Sequence, residues 1–293
     1  MTLNSKYVSK FAIGTANFGN NYGIKNQFKK ISLIETKKIL NLAIKRNIRH
    51  LDTAMVYGDS QKYIGNLVKN KLKITTKLPP IPSNCDDLNR WTDNKIRKSL
   101  KELKAKSINT LLLHNPNDLL TKNGKKLYEN LLHLKKNKII NKIGLSLYEI
   151  NDIYKFLGKY KIDVVQTPFN LIDRRLLKND MINFLKNKKI EIHIRSIFLQ
   201  GVLLMDSKTR SKKFKKWNKI WKIYDNWLKE KKLSKIQACL NYVLSFSDID
   251  KIIIGYDNHK QLIDVLDLKK IKVSAPEDIY SKDKALINPF NWK

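Results

Sequence analysis

The chain has 293 residues, long enough to bury a substantial core, and its 42% hydrophobic content is that of a globular protein. No apolar run reaches the roughly 18 residues a membrane span needs, and the start MTLNSKYVSK lacks an apolar signal core, so a cytoplasmic protein with no membrane partner is expected. The 59 Lys and Arg outnumber the 26 Asp and Glu to give a net charge of +33, which attracts polyanions nonspecifically. Lysine is nonetheless spread along the whole chain beside abundant Asn and Ile, as when an AT-rich genome fills tolerant surface positions, and no specific nucleic-acid partner is expected. Cys85 and Cys239 stand far apart, which excludes a zinc site built on cysteine and predicts two free thiols.

Eight apolar, strand-like runs alternate with helical patterns: residues 10–14, 48–53, 72–76, 110–113, 142–147, 163–167, 190–195 and 251–255. Such alternation is the mark of successive βα units, and eight of them close into an α/β (β/α)8 barrel, read as one domain over residues 1–293. Between the first two runs, residues 33–45 form an amphipathic helix with Ile34, Ile39, Leu40, Leu42 and Ala43 on a broad apolar face. Ser60 is placed to cap the helix after the second run, whose stripe is Tyr63, Ile64, Leu67 and Val68. Pro79, Pro80 and Pro82 stiffen the loop after the third run. After the seventh, 203–214 is a basic loop expected to be mobile, and Trp217, Ile220, Trp221, Tyr224, Trp227 and Leu228 recur at helical spacing as a face packed on the barrel. The terminal INPFNWK is expected to dock Phe290 and Trp292.

The stretch 50–65, HLDTAMVYGDSQKYIG, puts Asp52 near a strand's C-terminal end and Tyr57 in the following loop, the face of a barrel where active sites are built. Lys77 follows LKITT, His114 follows NTLLL, and Gln166 lies in DVVQTPFN, all at or near strand ends. Each alone has a bland reading: Asp52 a turn cap, Lys77 a solvated lysine, His114 a partner for a loop carbonyl. Together, four strands bring these side chains to one barrel mouth.

With these residues in hand the chain resembles the aldo-keto reductase family over nearly its whole length. DTAMVYGDS, TTKLP, LLLHNP, IGLS, QTPFN and RSIFLQGVLL match family motifs in the family's order, and GTANFGNNYGI resembles a bacterial branch of short reductases. The resemblance implies reduction of an aldehyde, ketone or sugar-type carbonyl by a nicotinamide cofactor bound in an extended pose, in keeping with the absence of GxGxxG. It implies NADPH, with NADH as the alternative, a small-molecule carbonyl as substrate, and no metal. Hydride arriving at a carbonyl carbon leaves a developing alkoxide that needs a proton and electrostatic support. In this reading Tyr57 donates the proton, Lys77 lowers the phenol's pKa, Asp52 anchors Lys77, and His114 orients the carbonyl.

Ser146 and Gln166 match positions that hold the nicotinamide carboxamide. Ser196, Phe198, Leu199, Gln200 and Gly201 run along the pyrophosphate, and Gly255, Tyr256, Asn258, Gln261 and Asp264 receive the adenosine phosphate. The chain departs from the pattern at Leu147, where many members carry Asn. It departs again at Arg195, in the place of a Tyr that stacks on the nicotinamide, although a guanidinium also lies flat on an aromatic plane. Gln261 stands where an Arg that recognises the 2′-phosphate is frequent, with Asp257 and Lys260 adding opposite charges nearby. Phe18, Tyr22 and Trp91 are expected walls of the substrate pocket. The same resemblance extends to barrels that serve as cofactor-binding regulatory subunits, the alternative to an enzyme.

Overall fold

The computed structural model describes residues 3–19, 30–68 and 72–292. Its frame is a closed ring of parallel strands, each hydrogen-bonded to the next in chain order: β1 (Phe11–Gly14), β2 (His50–Asp52), β3 (Lys73–Leu78), β4 (Ile108–Leu113), β5 (Ile140–Ser146), β6 (Val164–Pro168), β7 (Glu191–Arg195) and β8 (Lys251–Gly255). Closure is made by β8 on β1, with Phe11 opposite Ile252 and Gly14 opposite Gly255. All eight runs expected from the sequence are strands of this ring, with ends shifted by at most two residues. The second run starts later than its apolar pattern because Ile48, although fully buried, packs before the ladder begins.

Strands made almost wholly of buried residues, such as β1 and β6, in which every residue is buried, are what a sheet covered on both faces requires. The covering helices start where the sequence supplies caps. Ser32 accepts from Glu35 N at Leu33–Lys45, Asp87 from Arg90 N at Leu88–Leu103, and Ser234 forms a reciprocal capping box with Gln237 at Lys235–Leu244. The helix Leu33–Lys45 has the predicted bounds and buries Ile39, Leu40 and Ala43, but Ile34, expected on the apolar face, is 71% exposed.

The aromatic helix is Asn218–Glu230. Trp221, Tyr224, Trp227 and Leu228 are buried, and the Tyr224 hydroxyl donates to Leu203 O at 2.9 Å. The basic loop before it is pinned rather than loose: Arg210 makes two bonds to Asp225 and lies 4.4 Å over the Trp221 ring, and Asp206 pairs with Lys235. Trp292 docks edge-on to Phe214 with centroids 5.0 Å apart, whereas Phe290 reaches the Tyr148 ring at 4.8 Å while staying 70% exposed. Both cysteines are free, and burial pushes the Cys239 thiol up to about 12. Among the described residues no helix is long and apolar enough to cross a membrane.

Candidate active site

β2 ends at Asp52, and the chain then turns through Tyr57, whose amide closes a turn onto Ala54 O at 3.0 Å. Ser60 does not cap the next helix, as its position had implied. It is the first residue of Ser60–Val68, fully buried, with Oγ 3.1 Å from Thr15 O, 2.9 Å from Thr15 Oγ1 and 3.1 Å from Thr53 Oγ1. Thr15 in turn donates to Asp52 O at 3.0 Å, so three hydroxyls tie the ends of β1 and β2 to the helix that follows Tyr57. Gly19 backs the same turn. A Cβ there would lie 1.8 Å from Tyr57 O and 2.6 Å from Ser60 N, both backbone atoms. Gly19→Ala must therefore move the Tyr57 turn, and misplacement on the order of 1 Å is expected to cost about 100-fold in kcat/KM, measured by steady-state kinetics.

Lys77, on β3, is 2% exposed and donates to Asp52 Oδ1 at 2.6 Å and to Thr53 O at 2.9 Å. The other Asp52 oxygen accepts from Gln166 Nε2 on β6 at 2.6 Å. Because an ionised carboxylate only accepts, that contact fixes the amide orientation and leaves Gln166 Oε1 buried without a partner among the described residues. Gln166 sits in register with Ser146 on β5. His114, directly after β4, presents its ring edge-on to Tyr57 with centroids 6.3 Å apart, and its Nδ1 is likewise buried and unpartnered. Asp52, Tyr57, Lys77 and His114 are thus brought together as the sequence implied.

The electrostatics differ from the expectation in one respect. The Lys77 ammonium lies over the Tyr57 ring, 5.3 Å from its centroid, with its charge spent on Asp52. Burial and then the Asp52 carboxylate raise the Tyr57 pKa above that of a free phenol, and the cation opposing them is Arg195. The expected lowering by Lys77 is not found, and the phenol stays protonated through the neutral range. His114 is pulled down to about 4 by burial first, then by the positive charges of Lys77 and Arg195, so its imidazole is neutral near pH 7.

Burial also lowers His50, at the opposite end of the barrel, to about 3, helped by Lys251, His193, Lys73 and Lys142. Both histidines titrate near 6.5 when unfolded, so between pH 6.5 and 4 the unfolded chain binds protons that the folded one refuses. Stability is expected to hold above pH 6.5. Below it, loss reaches at most about 1.4 kcal/mol per pH unit for each histidine, read as falling urea midpoints at pH 7, 6 and 5.

A groove of about 510 Å³ opens above this set, lined by Asp52 and Tyr57, by Thr15 and Asn17 after β1, by residues 195–198, 200–201 and 204–206 from the end of β7 onward, and by Gly255, Tyr256, Asp257 and Gln261 from the end of β8 onward. In the post-β7 loop Ser196, Leu199 and Gln200 take positive φ (60°, 47° and 53°), a density of strained backbone that gathers at functional sites, and Gly201 follows at 84°, where glycine carries no strain. Asn170 holds it from below, donating to Ser196 O at 3.0 Å. Arg195 lays its guanidinium 4.1 Å from the Tyr148 ring centroid.

Of the cofactor candidates, Arg195, Ser196, Phe198, Gln200, Gly201, Gly255, Tyr256 and Gln261 line the groove. Three do not. Leu199 is fully buried in the core, Asn258 spends its side chain capping His259–Leu266, and Asp264 is exposed on that helix. Phe18 is likewise buried core and Trp91 lies on Leu88–Leu103 away from the groove, so neither is a wall of it; Tyr22 lies outside the described residues. Sequence reasoning missed Tyr148, Thr15 and Asn17. Their signal was position, since each stands one to three residues beyond a strand end. Among the described residues no group of three His, Cys, Asp or Glu side chains could hold a metal ion.

A parallel eight-stranded barrel with an acid, a phenol, an ammonium and an imidazole converging at its strand-end mouth has the build of a barrel enzyme. The model of the Aldo/keto reductase family matches residues 10–286, and the chain belongs to that family, one of oxidoreductases. Among solved structures it is similar to an aldo-keto reductase of Bacillus halodurans in its holo form, at TM-score 0.71 and 15% identity over 92% of this chain and 94% of that one. A protein of Pseudomonas aeruginosa assigned to the aldo-keto reductases follows at TM-score 0.64 and 21% identity, over 88% of each chain. At such identities the likeness speaks for the fold. No curated protein sequence matches the chain significantly.

Proposed function

We propose that this protein is an NAD(P)H-dependent reductase of an aldehyde, ketone or sugar-type carbonyl. The observation that carries the reading is the convergence of Tyr57 with the buried Asp52–Lys77 pair and with the His114 ring at the mouth of a groove of about 510 Å³. The buried, unpartnered Gln166 Oε1 beside Ser146 fits a carboxamide donor, and the strained loop from Ser196 to Gly201 gives an extended cofactor its wall. When bound, the nicotinamide supplies the hydride.

The chain's own residues do the rest. His114, uncharged, hydrogen-bonds the carbonyl oxygen without competing for the proton. Tyr57 passes its proton to that oxygen as negative charge develops there; the product alcohol is a weaker acid than a phenol, so the transfer runs downhill. The phenolate left behind faces the Lys77 ammonium and Arg195, whose charges stabilise it until solvent returns the proton. The high phenol pKa therefore favours reduction over alcohol oxidation at neutral pH.

Single-turnover mixing of protein and reduced cofactor with a panel of aldehydes, ketones and keto-sugars tests the reading. Loss of nicotinamide absorbance at 340 nm with at least one carbonyl is the expected result. Tight cofactor binding with no transfer to any of them overturns it in favour of a regulatory subunit.

A further inference from the structure

We infer that the β8 end of the groove is built for a bare ribose diol, so that the reductase proposed above takes NADH in preference to NADPH, with Asp257 as the discriminating residue. The inference rests on the groove being a dinucleotide site; what it adds is the charge on the β8 side of it.

Asp257 stands two residues beyond β8 and lines the groove. Its Oδ1 accepts from Asn17 Nδ2 at 3.1 Å and its Oδ2 from Gln261 Nε2 at 3.3 Å, while its own backbone N–H donates to Gln261 Oε1 at 2.8 Å. Asn17 is itself 5% exposed and anchored on Tyr256 O at 2.9 Å. The carboxylate is thus clamped from two sides, and among the described residues both side-chain partners are neutral amides.

The other acids of the groove are compensated, Asp52 by Lys77 and Asp206 by Lys235. Arg195 is the sole cation among the described residues that line the groove, and it belongs to the Tyr57 end, where it stacks on Tyr148. Lys260, which the sequence offered as compensation, is exposed and does not line the groove.

A phosphomonoester carries nearly two negative charges at neutral pH and is recognised by Arg or Lys through charge-assisted bonds. Among the described residues no such donor lines this side of the groove. A fixed, uncompensated carboxylate accepts two hydroxyl bonds from a vicinal diol and repels a phosphate in the same place, the logic by which an acidic residue selects the unphosphorylated ribose in other dinucleotide folds. Gln261 acts through Asp257: its amide spans the backbone and side chain of that residue and holds the carboxylate in place.

Binding of NADH and NADPH to the whole chain without substrate, by fluorescence titration at 0.15 M and 0.5 M salt so that general attraction to the +33 surface is separated, tests the assignment. NADH is expected to bind at least tenfold more tightly than NADPH at both salt concentrations. Asp257→Asn is expected to narrow that ratio, weakening NADH and strengthening NADPH, and Gln261→Arg to narrow it further by adding a cation; melting curves establish that both variants fold. Tighter NADPH binding by the wild type, or an unchanged ratio in Asp257→Asn, overturns the inference while leaving the reductase reading intact. Failure of both nucleotides to bind overturns the reductase reading and this inference with it.

Discussion

Tyr57→Phe is expected to lower kcat for carbonyl reduction by about 100- to 10,000-fold, the range that removal of a positioned general acid commands. The variant is clean because, among the described residues, the Tyr57 hydroxyl makes no hydrogen bond within the protein, so its loss leaves no buried group stranded. Melting temperature and cofactor affinity should match the wild type, confining the effect to chemistry. Residual activity within tenfold of wild type would assign the proton to water or to His114. A His114→Phe companion separates those two.

Lys77→Met is expected to destabilise the fold by about 3 to 5 kcal/mol, because it strands a buried carboxylate. The Lys77 and Asp52 side chains are 2% and 8% exposed, and after the substitution Asp52 keeps the Gln166 amide as its remaining side-chain partner. Such a pair costs much to desolvate, so replacing both partners by apolar side chains is less harmful than replacing one. Asp52→Leu combined with Lys77→Met should therefore recover much of the stability in urea unfolding while reduction stays absent. A single Lys77→Met variant with wild-type stability would show that water reaches this site and that the pair is weaker than its burial implies. The double-mutant cycle separates the pair's role in holding the barrel from its role beneath the phenol.

Residues whose function depends on strand ends were legible before folding. Asp52, Lys77, His114 and Gln166 each close an apolar run, and a parallel barrel turns that local fact into a shared mouth. What depended on distant partners was not. Ser60 looked like a helix cap because nothing in the spacing said that Thr15, 45 positions earlier, would claim its hydroxyl. Gly19 carried no sign that its backbone would abut Tyr57 O. Arg195 was read as a stacking surface for a cofactor; the structure gives it Tyr148, which lies 47 positions earlier in the chain. Leu199 was assigned to the groove by motif, but the left-handed turn at that residue sends its side chain into the core. Lys77 was expected to act on the phenol oxygen, yet the short Asp52 bond holds its ammonium over the ring.

The Asp52 carboxylate joins three strands: one oxygen takes Lys77 from β3 and the other takes Gln166 from β6, 114 positions away in the chain. Contacts of such separation pay their loop-closure entropy late in folding. A chain that has folded through β5 already contains Asp52, Tyr57, Lys77 and His114, yet lacks the amide that fixes the second carboxylate oxygen and the whole β7 and β8 side of the groove. Catalytic competence therefore belongs to the closed ring and to no half of it, and recovery of activity after dilution from denaturant marks ring closure, later than the return of helix.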